Sequence, residues 1–460
     1  NPPYRKERDS KELLIDIKNS KYGDLYFQGK MDYWYFFLHR SIDVVKFSRF
    51  ISFIVPSYWL SSTGASKLIK RIQAISSFTN IVDFSKNQIF NDVSGRHMIF
   101  VIRKDCKNNS LEYQKFLSHN LSDKEIESEL NSDQKLSEKF LIKNCKNVFT
   151  NNNKINLESL KFSDIISKIE ENSSSLEGKN KSFEVSQGII EAPDRVNNSI
   201  CKRVNDFSRL GEGVFVISQS KYKQLSFSSV EKEYIKKYLD GGDVDRYSLN
   251  YSGSYVFYIS SSNNKYIKAN RKKFPNITNH LDVYKKYITS SNKPYGIHRS
   301  RDARFFTQPK IIGKNMFDFP IFTYCENEYY VNFSFNVIIK NNARYSLIFL
   351  LGLLNSSIGA FWFNIFGKKR GVNVDVGVGV LRKFPVVNVD FDNPNHVRQY
   401  DQIIENIKYM LKLHKRTPQT PYEQEQLDRE ITAIDSQIDR LVYDLYGLTE
   451  EEIKIVEGEN

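Results

Sequence analysis

The first four residues, Asn1-Pro2-Pro3-Tyr4, carry the sharpest chemical signal in the chain. Their types suit methylation of an exocyclic amino group. Such a nitrogen is a poor nucleophile, because its lone pair is delocalised into the ring. Two acceptors placed on its two hydrogens pull the nitrogen toward tetrahedral geometry and free the lone pair. The Asn1 side-chain oxygen can be one acceptor and the Pro2 carbonyl the other. Consecutive prolines fix φ and remove backbone donors, so their carbonyls are presented rigidly. Tyr4 adds a flat face on which a base can stack, worth roughly 1–3 kcal/mol. The plainer reading is a rigid Asn-Pro-Pro turn with a packing tyrosine.

The elements that must hold these groups can be read from the hydrophobic pattern. Asp32 to Val45 has apolar residues at helical spacing, and Phe50 to Val55 is a short unbroken β-rich run ended by Pro56, as in a buried strand. Gly64 to Ile75 is again helical, Ile81 to Phe84 is strand-like, and Met98 to Ile102 is an apolar run bounded by charges. The alternation predicts the C-terminal half of an α/β domain over 1–105, built on a mostly parallel sheet. Residues 106–182 are rich in Asn, Ser, Lys and Glu and read as a connector or insertion with short amphipathic pieces such as Asn156 to Ile169.

Aromatic density rises over 183–390, where Tyr255 to Ile259, Lys310 to Ile312 and Tyr329 to Ile339 predict strands of a second, mixed α/β domain. The tail, 391–460, reads as a helical hairpin. Thr420 suits an N-cap, Pro421 the first helical position, and Glu423 is placed to complete a capping box. Leu427, Ile431, Ile434, Ile438, Leu441 and Leu445 then form one apolar seam, Gly447 ends it, and Gln399 to Leu413 is the expected partner helix.

Composition narrows the function classes. Hydrophobic residues make up 40% of the 460, with 27 Tyr and 33 Phe, which excludes a wholly disordered or fibrous chain. A net charge of +13 favours a polyanionic partner, nucleic acid before membrane. Cys106, Cys145, Cys201 and Cys325 lie far apart, with no CxxC pair and no histidine at ligand spacing, so neither a metal site nor a disulfide framework is expected. Reduced thiols and a cytoplasmic location in a bacterium or archaeon are the expectation. The apolar stretch Tyr345 to Phe366 is interrupted by Asn355-Ser356-Ser357, which would be costly at mid-bilayer; it reads as a buried helix pair.

With these motifs in view, the chain resembles the adenine-specific, S-adenosylmethionine-dependent DNA methyltransferases of the gamma arrangement. The resemblance rests on Asn1-Pro2-Pro3-Tyr4, on Gly29-Lys30-Met31-Asp32-Tyr33 before a helix, and on Phe50 to Ser57 ending in Ile-Val-Pro-Ser. It continues in Gln88-Ile89-Phe90-Asn91-Asp92-Val93 before Met98 to Ile102. It implies a Rossmann-like catalytic domain followed by a target-recognition domain, with Asn1, Pro2 and Tyr4 catalytic and with Phe90 stacking, opposite Tyr4, on a base turned out of the duplex. Unstacking costs a few kcal/mol, which two aromatic faces offset in large part.

The later chain resembles the TaqI-like C-terminal specificity domain of these enzymes and of type IIG restriction-modification proteins. The matching pieces are Leu239 to Tyr247, His298 to Arg301, Gln308 to Ile312, Tyr329 to Val331, Leu353 to Ser356, Leu381 to Pro385 and Ile438 to Thr449. Double-stranded DNA is then the expected partner, with no membrane and a monomeric complete protein. Basic residues among aromatics are the candidate DNA contacts: Lys272, Lys273, Arg299, Arg301, Arg304, Lys368, Lys369 and Arg370. The resemblance places the S-adenosylmethionine pocket mostly upstream of Asn1, so this segment is expected to be a fragment that does not bind the cofactor by itself. Three alternatives stay open. One is a bifunctional type IIG enzyme, another a DNA-binding specificity module without catalysis, and the third a methyltransferase acting on RNA or protein. Asp24-Leu25-Tyr26-Phe27-Gln28-Gly29 resembles an engineered protease scar but sits between family-like segments and is read as native.

Overall fold

In the computed structural model, the alternating pattern resolves into two units, residues 1–167 and 168–460. The structure describes every residue except 1, 8, 10, 91–95, 106–109, 119, 132–134, 143–147, 150–154, 156, 158–161, 179–181, 342–343 and 459–460.

The first unit is a five-stranded sheet with helices. Helix α1 (Trp34–Val44) buries Trp34, Tyr35, Leu38 and Ile42. Strand β1 (Phe50–Pro56) leads through short 3-10 turns into α2 (Ser66–Ile75), whose Leu68, Ile69 and Ile72 face the core. Strands β2 (Ser77–Asp83), β3 (His97–Arg103), β4 (Leu111–Phe116) and β5 (Ser137–Ile142) complete a sheet of order β1-β3-β2-β4-β5. The sheet is mixed, which corrects the expectation of a mostly parallel one. Strand β3 returns from β2 and wedges between β1 and β2, pairing antiparallel with both, so β1 and β2 run parallel without touching. Among the described residues of this sheet only β2 and β4 pair in parallel.

The polar stretch after residue 105 supplies β4 and β5. Leu111 and Tyr113 turn inward while Glu112 turns out, a period of two that the surrounding Asn and Lys conceal, and Phe116 is buried at the strand's end. Trp34, Trp59, Phe78 and Phe100 are fully buried together, and each contributes about 2–3 kcal/mol of apolar burial.

Among its described residues the second unit holds two four-stranded sheets, three smaller ones and a helical layer. Strands β6 (Phe183–Gln187), β10 (Lys310–Lys314), β12 (Phe322–Cys325) and β14 (Phe335–Lys340) form an antiparallel sheet of order β12-β10-β14-β6. Strands β7 (Val216–Ile217), β8 (Ile235–Leu239), β9 (Ser254–Phe257) and β13 (Tyr330–Val331) form a second, of order β13-β8-β9-β7. A turn at 332–334 divides the predicted Tyr329 to Ile339 run, sending β13 to one sheet and β14 to the other.

The apolar stretch near 350 is two buried helices, α3 (Leu347–Asn355) and α4 (Ser357–Phe366), bent by 66°. Asn355 explains the break. Its side chain accepts from Phe322 N–H at 3.0 Å and donates to Phe322 C=O at 2.9 Å, while Ser356 caps α4. Among the described residues no single helix is long and apolar enough to cross a membrane. The tail is the expected hairpin, α5 (Pro394–Leu413) and α6 (Pro421–Tyr446), ended by Gly447 at φ 71°. One detail differs. Thr420 caps Glu423 N–H, but the Glu423 carboxylate takes the Gln419 N–H rather than that of Thr420, so the box is not reciprocal. The complete box lies one helix on, between Thr449 and Glu452.

Candidate active site

Asn1, the first group assigned to the chemistry, lies outside the described residues. Pro2 is buried and Tyr4 half-buried. The Tyr4 hydroxyl donates to the Ile54 carbonyl of β1 at 2.7 Å. Burial pushes its pKa up to about 12, with the Asp32 charge adding to the rise. It is therefore a neutral, anchored ring at ordinary pH.

Residues 5–7 run against 31–33. Tyr33 N–H donates to Arg5 C=O at 2.8 Å and Glu7 N–H to Met31 C=O at 2.9 Å. The return is made by Gly29 and Lys30, at φ 64° and 57°, consecutive left-handed positions for which a glycine start is the natural solution. Gly64 presses on the same turn; a Cβ there would sit 1.9 Å from the Lys30 carbonyl oxygen. Asp32 closes the arrangement. It is 1% exposed and accepts Arg5 N–H at 3.0 Å and the Tyr58 hydroxyl. Desolvation pushes its pKa up, opposed by those donors, by Trp34 N–H and by the Lys6 charge. Gln28 is equally built in: its side chain accepts Lys67 N–H at 2.7 Å at the start of α2, which fits a native segment.

Phe90 is half-buried at the end of a loop pinned by Asn87. The fully buried Asn87 amide donates to Phe84 C=O at 3.0 Å and Ser118 C=O at 2.9 Å and accepts Leu121 N–H at 3.0 Å. Asn91, Asp92 and Val93 lie outside the described residues. The structure brings Tyr4 and Phe90 to one side chain that the sequence did not single out. His97, fully buried at the start of β3, has its ring centroid 6.0 Å from that of Tyr4 and 5.2 Å from that of Phe90. A lone histidine after Arg96 carried no motif; only the register of β3 beside β1 reveals it. The two rings are thus neighbours of one imidazole, and neither is sealed from solvent.

The basic candidates fall into two groups, all in the second unit. Arg301 is half-buried and spends its guanidinium on Gly188 C=O at 3.2 Å and Gln187 at 3.4 Å; Arg304 is held by Asp302 at 2.9 Å and Glu184 at 3.2 Å. Lys272 and Lys273 are exposed on a 3-10 turn, and Arg299 is exposed beside Ile190. Lys368, Lys369 and Arg370 form an exposed strand, β15 (Lys368–Arg370), not a loop. It pairs with β16 (Asn373–Asp375) across a two-residue turn of Gly371, at φ 65°, and Val372. Lys369 reaches Asn364 at 3.0 Å and Arg370 reaches Asp375 at 3.5 Å. Among the described residues no cluster of His, Cys, Asp and Glu could hold a metal, and Cys201 and Cys325 are free and buried.

Residues 1–90 match the family of the Eco57I restriction-modification methylase, and residues 236–386 match the TaqI-like C-terminal specificity domain. The type II restriction enzyme and methyltransferase RM.Eco57I of Escherichia coli is 23% identical over 494 aligned positions, 97% of this chain and 46% of that protein. The type II methyltransferase M.HincII of Haemophilus influenzae is 32% identical over 101 positions, 22% of this chain and 20% of that protein. The chain therefore spans less than half the length of these relatives. Similar solved structures include the type IIL restriction-modification enzyme MmeI in complex with DNA (12% identity, TM-score 0.49, 100% of this chain and 56% of that one). Another is the type IIG restriction endonuclease BpuSI (13%, TM-score 0.35, 97% and 53%). Two stretches of the chain are thus similar to known families, residues 1–90 to a restriction-modification methylase and residues 236–386 to a TaqI-like C-terminal specificity domain.

Proposed function

We propose that this chain is the base-facing and sequence-reading part of a site-specific DNA methyltransferase, one that methylates the exocyclic amino group of an adenine turned out of duplex DNA. The observation that carries the reading is the convergence of Tyr4 and Phe90 on the buried His97 ring. The two rings flank the opening peptide, whose Asn1 side-chain oxygen and Pro2 carbonyl are the acceptors we assign to the amino hydrogens of the purine. The part of this chain is to orient the base, to exclude water from its faces, and to ready the nitrogen. We read 183–390 as the recognition domain, with 391–460 its helical support, and the exposed cations Lys272, Lys273, Arg299, Lys368, Lys369 and Arg370 as phosphate or base contacts.

The family's methyl donor is S-adenosylmethionine. Among the described residues of 1–105 the one junction from a strand into an α-helix, between β1 and α2, has a single glycine, Gly64, and a Cβ there would meet the Lys30 carbonyl. These residues do not fit the glycine-rich cradle such a donor needs, so this chain acts on the acceptor side.

The deciding experiment is labelled-methyl transfer by the complete protein to duplex DNA, RNA and protein in parallel. Methyl groups on adenine N6 of duplex DNA are expected, and label confined to RNA or protein would overturn the proposal. A bifunctional enzyme is the second reading, favoured by the alignment of 97% of this chain with a relative named as both restriction enzyme and methyltransferase. Cleavage of duplex DNA by the complete protein with magnesium distinguishes it.

A further inference from the structure

A carboxylate removed from water is costly unless several donors surround it, so a buried acid close to a reactive site calls for a reason. Asp32 is 1% exposed, yet two segments distant in sequence meet on it. One oxygen accepts the backbone N–H of Arg5 at 3.0 Å; the other accepts the hydroxyl of Tyr58, which follows β1. The Lys6 ammonium lies 4.0 Å over the Tyr58 ring and balances the charge.

The location of the Arg5 bond is what matters. Arg5 N–H belongs to the peptide that immediately follows Tyr4, so the Asp32 bond fixes the direction in which the opening tetrapeptide leaves the site. The Tyr4 hydroxyl is fixed separately, to Ile54 at 2.7 Å. Tyr4 is therefore clamped at its ring by β1 and at its exit by Asp32. Loss of the first frees a stacking face; loss of the second lets the backbone carbonyls rotate while the ring stays in place.

We propose that Asp32 is a positioning residue for the Pro2 carbonyl, one of the two nitrogen-activating acceptors assigned to the opening peptide, with Tyr58 as its partner. The inference rests on the proposed function and adds to it the group that aims that acceptor. Asp32 touches no substrate. It sets the orientation of a group that does, and a misplacement near 1 Å at such a group costs on the order of 10²-fold in rate.

The test uses three variants of the complete protein. Asp32→Asn keeps the size and loses the charge, Asp32→Glu keeps the charge on a longer arm, and Tyr58→Phe removes one hydroxyl. For Asp32→Asn, kcat for methyl transfer to duplex DNA is expected to fall about 10- to 100-fold. The Kd for DNA stays within about threefold, and the fluorescence of 2-aminopurine at the target is retained, because binding and base turning do not depend on the aim of the carbonyls. Tyr58→Phe is expected to fall about fivefold and to add little to Asp32→Asn, and Asp32→Glu to recover part of the loss. A kcat within twofold of wild type for Asp32→Asn overturns the inference. So does a fall of kcat, DNA affinity and thermal stability together, the mark of a merely structural acid. Where Asp32→Asn does not fold, Tyr58→Phe decides by the same split. A wild type that methylates no duplex DNA sinks the proposed function itself; a wild type that methylates, beside an indifferent Asp32→Asn, sinks this inference alone.

Discussion

In the first unit each group tied to the opening peptide is fixed by something buried: Tyr4 by a strand carbonyl, Arg5 by Asp32, and the Phe90 loop by Asn87. In the second unit the candidate DNA contacts lie on exposed turns and on one short strand, and the two best-anchored of them, Arg301 and Arg304, are already engaged by neighbours. The two regions even treat buried acids differently. Burial pushes both upward, but Asp32 against several donors, whereas Glu191 in the second unit, 3% exposed, is raised to about 7, so that it is about half protonated near neutral pH. The contrast teaches that orientation is supplied by buried hydrogen bonds, while the recognition proposed for the second unit would be left to side chains free to follow a polyanion's backbone.

The comparison is tested most severely at its chemical end. Asn1→Ala in the complete protein should lower methyl transfer by roughly 10²- to 10³-fold, the scale set by deletion of one preorganised group, with DNA affinity retained. Undiminished transfer would break the first half of the contrast. Next comes the protonated acid. Its pKa is raised in the folded state, so the stability it contributes is present below about pH 4.5 and is lost as pH rises through about 7. Glu191→Gln should remove a loss on the order of 3 kcal/mol between pH 5 and pH 8, measured by denaturant unfolding at each pH. Phe90→Ala follows, at roughly 1–3 kcal/mol, read as a fall of about 5- to 150-fold in transfer and a weaker 2-aminopurine signal.

At the recognition end the effects are spread thin. Replacing Lys368, Lys369 and Arg370 together with alanine should reduce the slope of log affinity against log salt by about one unit for each cation that meets a phosphate, with no change in transfer at saturating DNA. The smallest effect is expected at Arg304. Its guanidinium is shared by Asp302 and Glu184, so Arg304→Ala should change DNA affinity by about twofold or less. A large loss there would show that the ion pairs give way to DNA and would blur the contrast.

What the sequence reveals follows the reach of its signals. Local periodicity suffices for α1, β1, α2 and the α5–α6 hairpin, because each is set by residues three, four or two apart. The order of strands is not local. That β3 divides β1 from β2 depends on pairing between residues up to about fifty positions apart, and the strands β4 and β5 are hidden in polar composition. Of the site, the tetrapeptide and Phe90 are visible as types. His97, Asp32, Tyr58 and Asn87 are not, since each acts through a partner 26 or more positions away. Arg304 fails in the opposite sense, since a basic residue in an aromatic neighbourhood looks the same in sequence whether it meets DNA or its own Asp302.

The hydroxyl of Tyr4 hangs from Ile54, and Ile54 is held opposite Ile99 by the pairing of β1 with β3. A slip of one residue in that ladder would present the tyrosine with a differently directed backbone and carry His97 away from both rings. Assembly of the reactive corner is thus a readout of whether the sheet has closed in its proper frame. On the proposed function, molecules trapped out of frame would occupy sites on DNA without methylating them. In a preparation of mixed quality, DNA-binding titre and catalytic titre should therefore part company, and their ratio measures the fidelity of folding.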